Sequence, residues 1–134
     1  MVMEAEQILR LVPKDKYDTE PIPELMKISE DEIRPILPNL LLLMADMNWP
    51  IARDIISVLA KFPDSVVPLI KEKLQPTEAD EDWKYFIITD LIPKLPKEAQ
   101  KTLIEDIERI ITKPTDGEIY SEVWDMAKMY KESM

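Results

Sequence analysis

Apolar residues recur along this chain at intervals of three and four positions, the spacing of one buried face of an α-helix. The clearest run follows Ser29, where the apolar positions are Ile33, Leu37, Leu40, Leu41 and Met44. No stretch alternates apolar and polar residues in the way that a half-buried strand does. The pattern therefore predicts an all-α protein.

The periodic runs and the residues between them divide the chain into eight predicted helices. They are expected over residues 3–11, 20–28, 29–44, 50–62, 64–74, 83–94, 97–112 and 119–130. One glycine against twelve prolines fits helices that begin at prolines and argues against tight hairpin turns. Ser29 and Glu32 predict a capping box at the start of the third helix. Pro38 predicts a kink inside that helix, and Asn48 or Trp49 is expected to cap the fourth.

Two segments repeat the order of helix, polar corner and second helix. The first contains Leu37-Pro38-Asn39-Leu40, Asp46, Trp49 and Ile51 to Arg53, and the second contains Val67-Pro68-Leu69-Ile70, Asp82, Trp83 and Lys84. This order resembles HEAT repeats, and a third unit from Leu103 to Trp124 resembles them more faintly. The resemblance implies a single domain over residues 1–134, built as a short α-solenoid of about three HEAT-like helix pairs with an N-terminal helical extension.

Most of the chain also resembles a bacterial family of short proteins that is known only as a domain of unknown function. The residues that carry this resemblance are the Asp-Met-Asn-Trp-Pro corner at 46–50, the Trp-Lys-Tyr helix start at 83–85 and the corner at 113–115. This second resemblance implies no activity, cofactor or partner.

The charge balance and the missing residue types exclude several classes of function. With 27 Asp and Glu against 17 Lys and Arg, the net charge of −10 repels phosphate backbones, so we expect no nucleic-acid partner. The chain has no Cys and no His, which removes disulfides, thiolate metal sites and the commonest general base. We therefore expect no enzyme activity, no cofactor and no metal.

The start of the chain lacks the basic residues and the apolar core of a signal peptide. No stretch reaches the roughly 18 consecutive apolar residues that a membrane-spanning helix needs. We therefore expect a cytoplasmic protein that makes no membrane contact, and the sequence leaves its oligomeric state open.

The candidate partner-binding residues lie at two polar corners and at the helix starts that follow them. They are Asp46, Asn48, Trp49, Arg53, Asp80, Glu81, Asp82, Lys84 and Tyr85. Helical stacks commonly bind partners along the face formed by their second helices. On that face we expect Arg53, Ser57, Lys61 and Lys84, and we expect the acidic corner at 80–82 to be a solvated loop.

Asp90 and the three tryptophans each allow a structural and a functional interpretation. Asp90 lies in the apolar run 86–92, so we expect its carboxylate to be buried and paired with Lys84, Arg53 or a tryptophan indole. Trp49, Trp83 and Trp124 are expected in the core, and an exposed one becomes a candidate binding anchor.

The leading hypothesis is a non-catalytic protein-binding module. Its specific form is an immunity-type or adaptor protein that masks a basic partner, because the chain is small, acidic and without catalytic groups. The alternative is a helical-repeat enzyme that acts on nucleic acid in the manner of a glycosylase. The net charge of −10 and the lack of a basic run disfavour that alternative.

Overall fold

The computed structural model describes residues 5–134 of the protein, with side chains described from residue 6 onward. These residues form short helices and no strand, so the protein is all-α over the part described. The α-helices are α1 (Ala5–Leu9), α2 (Ile22–Leu25), α3 (Glu30–Ile33), α4 (Leu37–Leu42), α5 (Ala52–Leu59), α6 (Pro63–Lys73), α7 (Glu81–Phe86), α8 (Lys97–Lys101), α9 (Ile104–Thr112), α10 (Asp116–Tyr120) and α11 (Val123–Glu132). Arg34–Ile36 and Ile92–Lys94 are 3-10 turns, and Ile87–Leu91 is a π-helical turn. Within the described range, no helix combines the length and the apolar character that crossing a bilayer requires.

The predicted third helix begins as expected and then breaks earlier than expected. Ser29 Oγ accepts a hydrogen bond from the Glu32 N–H at 3.2 Å, and Glu32 Oε1 accepts one from the Ser29 N–H at 3.3 Å, which confirms the capping box. The expected kink at Pro38 is wrong, because Pro35 already lies in a 3-10 turn and α4 starts afresh at Leu37. Pro38 then occupies the first turn of α4, where its missing N–H removes no helical bond.

The predicted helix over residues 83–94 is a continuous helical stretch that changes its winding. It begins at Glu81, because Asp80 Oδ1 caps the Trp83 N–H at 3.0 Å. Pro93 has no N–H to give to the carbonyl four residues earlier, so the α-helical pattern cannot continue through it. The chain widens into the π-helical turn instead, and the Ile92 N–H bonds to the Ile87 carbonyl five residues back.

Other predicted boundaries shift where the chain turns sharply. The predicted helix over 97–112 is two helices, α8 and α9, separated at Thr102 and Leu103. The predicted last helix is also two, because Glu122 adopts a left-handed conformation with φ of 66° between α10 and α11. Asn48 and Trp49 do not cap the fourth helix, since α5 begins only at Ala52. The first predicted helix is seen as Ala5–Leu9, and its residues 3 and 4 lie outside the described part.

Buried apolar side chains from α1 to α11 form one contiguous cluster. Its members include the predicted stripe residues Ile33, Leu37, Leu40, Leu41 and Met44. Two large apolar side chains within the predicted helices are instead exposed to solvent: Leu42 is 59% exposed and Ile119 is 46% exposed. Both lie at the end of a short helix, where the break that follows turns the chain away from the pattern of the helix.

Several side-chain hydrogen bonds join residues that lie 31 to 35 positions apart in the sequence. Near the start of α6, Ser65 Oγ donates to Glu30 Oε2 of α3 at 2.8 Å. Near its end, Lys71 Nζ donates to Asp106 Oδ2 of α9 at 3.0 Å. The helix α6 is therefore bonded to an earlier and a later helix at the same sequence offset of 35 residues.

Trp83 contributes a large buried ring to this packing, so its removal tests the core. The ring is 7% exposed, and the Lys73 ammonium lies 4.6 Å from its centroid. We expect Trp83→Ala to lower the free energy of unfolding by about 3 kcal/mol or more, because truncation empties a buried aromatic site. Urea unfolding monitored by circular dichroism measures this change. Tyr17→Ala is the control, since Tyr17 is 68% exposed, and a loss of similar size there would contradict the packing role of Trp83.

Candidate protein-binding groove

A groove of about 410 Å³ lies between α5 and the stretch formed by the π-helical and second 3-10 turns. Its lining consists of Met47, Arg53, Ile56, Ser57, Ala60, Asp90 and Lys94. On α5, Ile56 and Ala60 are four residues apart and supply an apolar floor. Arg53 and Ser57 share the same spacing on an adjacent face, where both are exposed. The groove therefore combines an apolar floor with a polar rim.

Two cations on this rim have no partner within the described residues. Arg53 and Lys94 are both exposed, and neither side chain forms a hydrogen bond or an ion pair with the rest of residues 6–134. Some other basic residues are paired, such as Lys71 with Asp106 and Lys131 with Glu108, whereas a few exposed ones, such as Lys27 and Lys113, also lack a described partner. The groove thus holds unpaired positive charge in a protein whose net charge is −10.

Asp90 lies on the opposite wall of the groove, in the π-helical turn. The expected pairing of Asp90 with Lys84, Arg53 or an indole is wrong. Its Oδ2 accepts a hydrogen bond from the Thr89 hydroxyl at 2.7 Å, and the side chain is only half-buried. The π-helical turn carries an extra residue, and such turns often occur at functional sites.

Of the residues predicted at the first corner, only Arg53 lines the groove, although Met47 of the same corner also does. Asp46 Oδ1 accepts a hydrogen bond from the Asn48 N–H at 2.9 Å, so it closes a local turn and forms no ion pair with Arg53. Asn48 is exposed, and Trp49 is half-buried against the core. Lys61, which was also expected on this face, donates to the Met26 carbonyl.

The predicted second corner lies elsewhere, and the expectation that Lys84 is exposed is wrong. The Lys84 side chain is 0% exposed because its ammonium is drawn inward by an acidic partner, Glu118. Asp80 is used as the cap of α7, and Tyr85 is half-buried with its ring edge-on to Phe86 at 5.5 Å between centroids. The acidic corner is therefore the start of α7 and not a loop, but Asp80 and Asp82 are exposed as expected, and Asp82 has no described partner.

The buried partner of Lys84 is Glu118, whose carboxylate joins three helices. Lys84 Nζ of α7 donates to Glu118 Oε2 at 2.8 Å. Arg109 of α9 donates to both carboxylate oxygens, at 2.6 Å and 2.8 Å, and to the Leu74 carbonyl at 2.5 Å. Glu118 Oε1 also accepts from the Thr115 N–H at 2.8 Å, which makes it the reciprocal half of the α10 capping box. Every strong acceptor position of this buried charge is therefore used.

Glu81 lies beside this network and close to Gly117, the one glycine in the chain. Its Oε2 is buried, 3.8 Å from Lys84 Nζ, and has no hydrogen bond. A Cβ at Gly117 would lie only 2.6 Å from Glu81 Oε1, so a side chain there would displace the carboxylate. Burial raises the pKa of Glu81, and the negative charge of Glu118 adds to this against the opposing effect of Lys84.

A larger cleft of about 540 Å³ lies near the N-terminus and is lined by residues between Arg10 and Glu24. Its carboxylates close local turns: Asp18 Oδ2 accepts from the Lys14 N–H, and Asp15 Oδ1 accepts from the Tyr17 N–H, both at 2.9 Å. Arg10 and Lys14 also line this cleft, and neither side chain has a described partner. We place the candidate site in the α5 groove, where unpaired cations lie beside the buried side chain of Ile56.

The described residues of the groove include one hydroxyl side chain. Ser57 is its only hydroxyl residue, and its Oγ donates to the Arg53 carbonyl at 3.3 Å. No described group is placed to take a proton from that hydroxyl, and across residues 6–134 no three acidic side chains gather into a possible metal site.

The fold and this groove define a small all-α domain with a candidate recognition surface. The chain belongs to the DUF5071 family, a domain of unknown function, whose model matches residues 11–130. No curated protein matches the chain significantly.

The pKa of Glu118 gives a direct test of the buried network. Burial raises this pKa, but hydrogen bonds from Arg109, Lys84 and the Thr115 N–H outweigh burial and lower it from 4.5 to about 2. A carboxyl group with a depressed folded-state pKa stabilises the protein above pH 4.5, and this contribution is lost as the pH falls towards 2.

We expect Glu118→Gln to destabilise the protein by about 3 kcal/mol at pH 7, because Lys84 and Arg109 lose their counter-charge. The difference from wild type should shrink between pH 5 and about pH 3, and urea unfolding at several pH values measures it. Glu72→Gln, at an exposed position of α6, is the matched control. A difference for Glu118→Gln that stays constant over this pH range contradicts the assignment.

Proposed function

We propose that this protein is a non-catalytic protein-binding domain, and that its helices form a short α-solenoid of HEAT-like pairs. The hydrogen bonds at offsets of 31 to 35 residues support the repeat, because a stacked repeat places equivalent positions of neighbouring units in contact. In this arrangement α5 is a second helix of its unit, and the groove lies along it.

The groove is the observation that carries this proposal. An apolar floor from Ile56 and Ala60 beside a rim with unpaired Arg53 and Lys94 is typical of a recognition surface, since apolar contact supplies affinity and charge supplies selectivity. The absence of an activated nucleophile at Ser57 gives no support to catalysis in the groove.

The net charge of −10 supports a partner that is basic overall. An immunity-type or adaptor role follows if binding masks the basic surface of that partner. In this role the acidic surface acts at long range and speeds the encounter, whereas the groove acts at contact and holds the complex.

Site-specific photo-cross-linking in the source cell tests the proposal. A photoreactive residue placed at Ser57 lies in the groove, and one placed at Glu72 of α6 is an exposed control. We expect a partner protein to cross-link from position 57 and not from position 72, and the purified partner to form a complex with the wild-type chain. Identical cross-linking patterns at the two positions, or none at position 57, would reject the groove as a protein-binding site.

The proposed electrostatic encounter predicts a specific salt dependence. Raising the salt concentration from about 50 to 500 mM should slow association with the purified partner much more than it speeds dissociation, because salt screens long-range attraction. At low salt, Asp82→Lys should slow association relative to the wild type, and this substitution removes no described bond. Stopped-flow mixing measures both rates. Reversal of Asp80 and Glu81 is avoided, since Asp80 caps α7 and Glu81 lies beside Lys84. If neither the salt concentration nor Asp82→Lys changes the association rate, the proposal that the partner is basic is wrong.

A further inference from the structure

The sign of the charge in the α5 groove is opposite to that of the whole chain. Its lining contains two cations, Arg53 and Lys94, and one anion, Asp90. The anion is already engaged by the Thr89 hydroxyl at 2.7 Å, whereas the two cations have no partner among residues 6–134. The groove therefore presents unsatisfied positive charge beside an apolar floor.

A second apolar groove, of about 300 Å³, begins at the residue next to Lys94. Pro93 lines this second groove together with Lys97, Lys101 and Tyr130. Pro93 and Lys94 belong to the same 3-10 turn, so this turn contributes one residue to each groove. Lys97 is exposed without a described partner, and Lys101 makes only an exposed contact of 3.3 Å with Glu98. The lining of the second groove therefore also carries positive charge.

We infer that these two grooves bind an extended acidic segment of the partner protein, with its carboxylates on Arg53 and Lys94 and its apolar side chains on the floor. An extended segment directs alternate side chains to opposite sides, which suits a groove with an apolar floor and a charged rim. Arginine binds a carboxylate through two parallel hydrogen bonds, and Lys94 adds a second positive charge. This inference rests on the proposed function and specifies the contact that holds the complex.

The acidic segment is compatible with a partner that is basic overall. Long-range attraction depends on the net charge of the two proteins, while the groove senses only the few residues that enter it. A basic protein with one acidic, leucine-rich segment meets both conditions.

Three labelled peptides of about nine residues test the inference against the full-length chain. They alternate Leu with Glu, with Gln or with Lys, so they share the apolar residues and differ only in charge. We expect the Glu peptide to bind about tenfold more tightly than the Gln peptide in fluorescence anisotropy, and the Lys peptide to bind most weakly. Equal or tighter binding of the Lys peptide would overturn the inference.

Two charge-matched double variants locate the binding. Arg53→Gln with Lys94→Gln should remove most of the preference for the Glu peptide. Lys27→Gln with Lys113→Gln removes the same charge from exposed positions outside both grooves and should keep the affinity within about twofold. Equal losses in the two double variants would show that only net charge matters, and the inference would be wrong. Displacement of the Glu peptide by a single-stranded oligonucleotide at about 150 mM salt would also overturn it in favour of a phosphate ligand.

The partner recovered by cross-linking separates this inference from the proposed function. If that partner binds wild type and the Arg53→Gln with Lys94→Gln variant equally well, the inferred binding of an acidic segment is wrong, and the proposed protein-binding function stands. If the Glu peptide binds in the grooves but no partner cross-links at position 57, the grooves do bind acidic segments, and the proposed function fails.

Discussion

The carboxylate of Glu118 is the interaction on which the arrangement of the second half of the chain depends. It is fully buried and receives hydrogen bonds from α7 through Lys84 and from α9 through Arg109. Burying these charges costs several kcal/mol each, so the network is stable only because every partner is present. Arg109 also holds the carbonyl of Leu74 at the end of α6, which extends the same constraint to a fourth helix.

This constraint positions the candidate groove indirectly. Lys84 fixes the start of the helical stretch 81–94, and that stretch carries Asp90 and Lys94 at its far end. Asp90 lies within the π-helical turn that precedes Pro93, so the side chains after Ile87 are rotated from the positions that a regular α-helix gives. The opposite wall comes from α5, which packs against α2 and α4 in the first half of the chain. The groove therefore forms where the stretch held by Glu118 meets the first helices.

The sequence predicts the helices far better than it predicts the site. Local rules account for the all-α class, the buried stripe from Ile33 to Met44 and the Ser29 capping box, because each depends on residues within one or two turns. The breaks at Pro35, at residues 102–103 and at Glu122 depend on how the chain turns to pack, and the pattern of apolar residues continues through them. The burial of Lys84 depends on Glu118, which lies 34 positions away, and local pattern gives no information about it. Asp90 stands out in the sequence as an acid within an apolar run, and the structure places it on the wall of the groove. Nothing in the sequence distinguishes Lys94 from the other exposed lysines.

A double-mutant cycle between Lys84 and Glu118 tests the central claim most directly. Lys84→Met keeps much of the side-chain volume and removes the charge, and Glu118→Gln removes the opposite charge from the same contact. The unfolding free energies of the wild type, the two single variants and the double variant give the coupling energy between these residues. We expect a favourable coupling of about 2 kcal/mol or more between Lys84 and Glu118 at pH 7. Single effects that add to within about 0.5 kcal/mol would contradict it, because the buried carboxylate would then not hold α7 in place.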